Sequence, residues 1–190
     1  MRKISMIILA SVMLSATAGV SGYAYAQESR AQESRAQESR ANKPAGTKSY
    51  AQADAAYKPY DADANSMVDI DKALARARVR GTKVMVVMGA NWCHDSRGFA
   101  ARLDKPKFRS LIADNYELVY VSAGTNPWQN DQNRDVSKRF GVDAIEGTPT
   151  VFITTSDGTV LNADSAGYWR RADSIPVDMS YAYLDMYAKK

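Results

Sequence analysis

The sequence predicts an α/β domain, a central mixed β-sheet flanked by helices on both faces. Three observations point there. Residues 83–88 read Lys-Val-Met-Val-Val-Met, an apolar run of the kind that fills a strand buried on both sides. Helical and strand-like segments alternate along the chain, the order that builds parallel pairs. Late in the chain Ser156-Asp157-Gly158-Thr159 supplies a hairpin turn, which adds an antiparallel pair.

Each element has its own local reason. Ser66, with Asp69 three residues on, reads as a helix cap with an acidic first turn. Met67, Ile70, Leu74 and Ala77 follow at helical spacing, and Gly81 stands where a C-terminal cap belongs. Arg76, Arg78 and Arg80 crowd the last turn, where cations suit the helix dipole, so a nucleic-acid role is not needed to explain them. After the strand at 83–88, Gly89 and Ala90 make a turn into Trp92-Cys93-His94-Asp95-Ser96. Residues 97–103 read as helix, and Asp104 is expected to cap a further one reaching Ala113, with Pro106 in its first turn. Residues 117–122 are a second strand, 123–130 a loop, and 131–140 a third helix ended by Gly141. Residues 150–154 and 160–162 flank the hairpin turn as strands, and 173–188 close the domain as a helix with Pro176 in its first turn.

The N-terminal third reads differently. Arg2 and Lys3, an apolar stretch over 7–20 and Ala24-Tyr25-Ala26 make a secretory signal over 1–26, cleaved before Gln27. Its apolar run is shorter than the roughly 18 residues of a membrane span, so no stable span is expected after cleavage. The predicted address is across the inner membrane, in a bacterial periplasm. Gln-Glu-Ser-Arg-Ala then occurs three times between Gln27 and Ala41; such a tract buries too little surface to offset its ordering entropy. With Pro44, Gly46 and Pro59 it makes 27–60 a low-complexity linker, leaving 61–190 as the folded domain. Tyr50, Tyr57 and Tyr60 are the linker residues able to dock on it.

The chain has 190 residues and a formal charge of +4, of which Arg2 and Lys3 belong to the removable segment. That balance is too mild to predict a nucleic-acid partner. A single cysteine, Cys93, excludes an internal disulfide, a four-cysteine zinc site, an iron–sulfur cluster and an internal dithiol couple. Cys93 is placed at the N-terminus of a helix, where free N–H groups and the dipole favour the thiolate. Ser96 lies one turn on and can offer a hydroxyl to the sulfur. Asp95 opposes the thiolate, and His94, the only histidine, favours it when protonated.

An apolar strand, a short turn, Trp92-Cys93-x-x-Ser96, a helix, and later Gly147-Thr148-Pro149-Thr150 before another strand resemble the thioredoxin fold over residues 66–188. The resemblance implies a cis-proline loop at Thr148-Pro149, facing the active cysteine and pairing by β-augmentation with an extended client. Trp92, Thr148 and Pro149 are then the substrate-binding residues, and Cys93, Ser96 and His94 the catalytic ones. Two departures matter. Ser96 stands where such proteins carry the resolving cysteine, and Val87 stands where many carry a buried acid. A hydroxyl cannot resolve a mixed disulfide. The expectation is therefore a monothiol exchanger acting on exported proteins with thiols or disulfides, or on a small thiol, with no cofactor and no metal. Isomerisation or deglutathionylation fits, and net dithiol oxidation does not. The competing reading is a client-binding or chaperone-like module that keeps the groove without turnover, with Trp128 as a further lining residue. Copper held by Cys93, His94 and Met88 is the weakest reading, because the cysteine and histidine are adjacent.

Overall fold

The computed structural model describes residues 57–190; the signal-like segment, the pentapeptide repeat and Tyr50 lie outside the described residues. Helix α1 (Ser66–Arg80) starts one residue earlier than the sequence suggests. Asn65, not Ser66, is the cap: its side chain accepts the Val68 N–H, three residues on, the reach an N-cap requires. Ser66 is instead the first helical residue and is buried. Gly81 closes the helix at φ 68°, a left-handed conformation that favours glycine, and its N–H bonds the Ala77 carbonyl.

Strand β1 (Lys83–Gly89) is the centre of a three-stranded sheet, order β2-β1-β3. It runs parallel to β2 (Tyr116–Ser122), with Val86 opposite Val119, and antiparallel to β3 (Thr150–Thr154), with Val86 opposite Phe152. Alternation along β1 divides the core. Val84, Val86 and Met88 join Ile70, Leu74, Val136 and Phe152 on one face; Met85 and Val87 join Phe99, Leu103, Trp169 and Leu184 on the other. This is the mixed sheet with helices on both faces that the sequence predicts.

Helix α2 (His94–Leu103) begins three residues before the expected 97, because Cys93 takes the extended N-cap conformation and its carbonyl accepts the Arg97 N–H. Asp104 ends α2 rather than capping the next helix; Lys105 precedes α3 (Pro106–Asn115), whose first residue is the proline. Helix α4 (Arg134–Arg139) is shorter than 131–140, since Asn133 adopts φ 57° and breaks the helical run. The return strand at 160–162 reduces to one bridge, Thr154 with Val160. Its ladder is completed by a side chain: Asn162 accepts the Ile153 N–H at 2.7 Å and donates to the Val151 carbonyl at 2.8 Å. The expected helix from 173 is two pieces, a 3₁₀ segment (Ala166–Ser174) kinked at Arg171 and α5 (Val177–Ala188). Pro176, extended and lacking an N–H, sits at the N-cap position of α5 and separates them.

Two of the three arginines in the last turn of α1 have a specific structural task. Arg76 and Arg80 both bond the Glu117 carboxylate of β2, Arg76 at 2.7 Å. Burial pushes that carboxyl up, but the two guanidinium groups more than offset it and hold it below its usual value.

Candidate active site

The site is assembled where the C-terminal end of β1 feeds α2. The turn after Gly89 carries Asn91 and Trp92, and the Cys93 N–H bonds the Ala90 carbonyl at 3.1 Å. Cys93 is 8% exposed, and its Sγ donates to the carbonyl of Thr148 at 3.2 Å. The Thr148–Pro149 peptide bond is cis, and both residues are buried. The cysteine and the loop before β3, 55 residues apart in the chain, are thus in direct contact. Thr150 Oγ1 donates to the Gly147 carbonyl and holds the loop at its other end.

Ser96 does not do what the sequence suggests. It is fully buried, and among the described residues its Oγ has no hydrogen-bond partner; the thiol bonds Thr148 instead. Its backbone carbonyl is what the site uses, accepting the Tyr60 hydroxyl at 2.9 Å. His94 is also redirected. Its Nε2 lies 3.0 Å from Asp95 Oδ2 and 3.6 Å from Asp173 Oδ2, so the ring is engaged with carboxylates rather than sulfur. Trp92 is half-buried at the turn, whereas Trp128 is 94% exposed in the loop after β2. A cleft of about 740 Å³ opens beside the cis-proline loop, lined by Ile145, Glu146, Thr150, Tyr168, Arg170 and Arg171. Cys93 is not among its lining residues.

Three supporting contacts hold the site, the first made by Tyr60, one of the residues the sequence offers for docking on the domain. Tyr60 packs in the core, and its backbone pairs twice with the Asn91 side chain, at 3.2 and 2.7 Å, pinning the active-site turn. Burial first, then its neighbours Tyr120 and Cys93, push the Tyr60 hydroxyl well above its ordinary value, so it stays a neutral donor to Ser96. Arg97 Nη1 bonds the Asn91 carbonyl at 2.6 Å. Asp95 Oδ1 accepts the backbone N–H of Asp173 at 2.8 Å, tying the first turn of α2 to the 3₁₀ segment. The local pattern carries one signal for these: an asparagine just before Trp-Cys, in a turn with few other side-chain acceptors.

Tyr60 approaches β1 so closely that Gly89 has no room for a side chain. A Cβ there would lie 2.4 Å from the Tyr60 ring. Gly89→Ala is expected to destabilise the domain by about 1–3 kcal/mol through overpacking. In a Tyr60→Ala background the same change should cost clearly less, because the two side chains compete for one space. Urea midpoints of the four proteins measure this; additive effects would show that the contact does not limit position 89.

A family model described as thioredoxin-like matches residues 64–156. Among solved structures, the chain is similar to a disulphide isomerase from Xylella fastidiosa Temecula1, with 29% sequence identity and a TM-score of 0.61. That match covers 68% of this chain and 95% of the other. No curated protein matches the chain.

Proposed function

With a thioredoxin-like fold as the premise, we propose that this chain is an exported monothiol exchange protein working through Cys93. One observation carries the reading: the only sulfhydryl in the chain stands at the N-terminus of α2, in contact with the carbonyl of Thr148 beside Pro149. The Cys93 thiolate attacks one sulfur of a client disulfide. A Cys93–client disulfide forms, and the second client sulfur leaves as a thiolate. A different client thiolate, or one from a small thiol, then attacks the client sulfur of the mixed disulfide, frees Cys93 as a thiolate and forms a different disulfide. No net oxidation or reduction occurs, so a resolving cysteine is not required. Trp92 and the Thr148–Pro149 loop border the sulfur and would position the client. The likeness to a disulphide isomerase supports this class of chemistry. Among the described residues no helix is long and apolar enough to cross a membrane. The export part of the reading is supported by Arg2, Lys3, the apolar run and Ala24-Tyr25-Ala26.

The test is an oxidised glutathione challenge followed by intact mass. One glutathione per chain is expected on Cys93, removed by added reduced glutathione within the time the exchange assay runs. An unmodified Cys93 after prolonged excess of oxidised glutathione would sink the proposal.

A further inference from the structure

Beside the thiol lies a second group of chemistry-bearing side chains that exchange does not use. His94 and Asp95 come from the first turn of α2, and Asp173 from the end of the 3₁₀ segment. One donor atom from each lies within 4.8 Å of the others. His94 Nε2 is 3.0 Å from Asp95 Oδ2 and 3.6 Å from Asp173 Oδ2. Ligands about 2.0–2.2 Å from a tetrahedral zinc ion stand roughly 3.3 Å apart, so the two separations bracket the spacing such an ion sets. A 3.6 Å separation is too long for a hydrogen bond, so the ring does not satisfy both carboxylates.

From this geometry we propose that His94, Asp95 and Asp173 form a binding site for a divalent first-row cation of the Zn²⁺ type. Imidazole with two carboxylates is a borderline-hard donor set that suits such ions. Three protein ligands leave the remaining position to water, and His94 is 61% exposed, so an ion can enter from solvent. The donors are held in advance: the other oxygen of Asp95 is fixed by the Asp173 N–H at 2.8 Å. Asp173 and Asp95 face each other across the cluster, so a cation would offset the repulsion between two carboxylates. The positive charges of Arg97 and Arg102 act on the Asp173 carboxylate and moderate the affinity. The site is independent of exchange: Cys93 is not one of its ligands, and its sulfur is bonded to Thr148.

The experiment uses the untagged chain, freed of metal with a chelator and titrated with Zn²⁺ against a chromophoric competitor. Because the chain contains one histidine, its ring protons report the site directly by NMR. One equivalent should bind at low micromolar concentration and move the His94 ring signals. His94→Gln and Asp173→Asn should each weaken binding by roughly tenfold or more. Asp173→Asn leaves the bond from the Asp173 N–H to Asp95 in place, so the fold should survive it. Cys93→Ser abolishes exchange but should retain zinc, which separates a failure of this site from a failure of the exchange reading. Ring signals unmoved by stoichiometric Zn²⁺ would overturn the proposal. So would zinc binding that is lost in Cys93→Ser and kept in Asp173→Asn.

Discussion

Cys93→Ser is expected to bring glutathione-coupled isomerisation of a scrambled disulfide substrate down to the buffer background. The sulfur is the only thiol in the chain, and a serine hydroxyl at the same place neither attacks a disulfide nor leaves from one. The fold should be untouched, because a hydroxyl can replace the weak S–H donor to the Thr148 carbonyl. Ser96→Cys is the complementary arm. It puts a second thiol one turn along α2, on the same side of the helix as Cys93. That thiol should attack the mixed disulfide, release the client with two thiols and leave an internal disulfide between Cys93 and the introduced sulfur. The variant is therefore expected to gain a net reduction of client disulfides that the proposed single-thiol cycle does not give the parent. Isomerisation at the parent rate in Cys93→Ser would defeat the exchange reading. Client binding that persists in Cys93→Ser, with no exchange by the parent, would favour the binding-module alternative.

Arg102→Ala is expected to cost the fold about 3–4 kcal/mol. Arg102 is 2% exposed, and its guanidinium donates to the Ile175 carbonyl and the Ala172 carbonyl at 3.1 Å each and to Ser180 Oγ at 2.5 Å. Those acceptors lie where the 3₁₀ segment ends and α5 begins, around Pro176, where helical hydrogen bonding is interrupted. Removing the donor leaves buried acceptors unpaired and opens a cavity at this junction. The same 3₁₀ segment packs on α2 through Trp169 and Phe99, whose ring centres are 4.6 Å apart, so the damage reaches the helix that carries the site. Arg102→Lys should recover only part of the loss, since an ammonium cannot span acceptors placed for a planar fork. Urea unfolding with an unchanged slope measures both; a loss below about 1 kcal/mol in Arg102→Ala would contradict the assignment.

Much of the scaffold is legible because its signals are local. The run at 83–88 has to be central, since both of its faces are apolar, and Gly81 ends α1 through a conformation that glycine adopts freely. Sequence and structure part where a side chain competes with backbone for the same bond. Asn162 replaces a strand ladder with its amide, and Asn65 displaces Ser66 as cap because its oxygen reaches Val68. The 3₁₀ segment is not legible because its regularity depends on packing against α2, not on the spacing of its own apolar residues.

The sequence by itself determined the α/β class, the position of a single thiol at a helix start and the absence of a second one. Those follow from residue type and periodicity, which need no partner distant in the chain. Only the tertiary structure decided what each polar group near that thiol does. Thr148, Tyr60 and Asp173 make their site contacts across 55, 36 and 78 residues of chain, a separation over which sequence spacing carries no geometry. Packing therefore turned Ser96 inward, gave its carbonyl to Tyr60, and set the His94 ring beside two carboxylates.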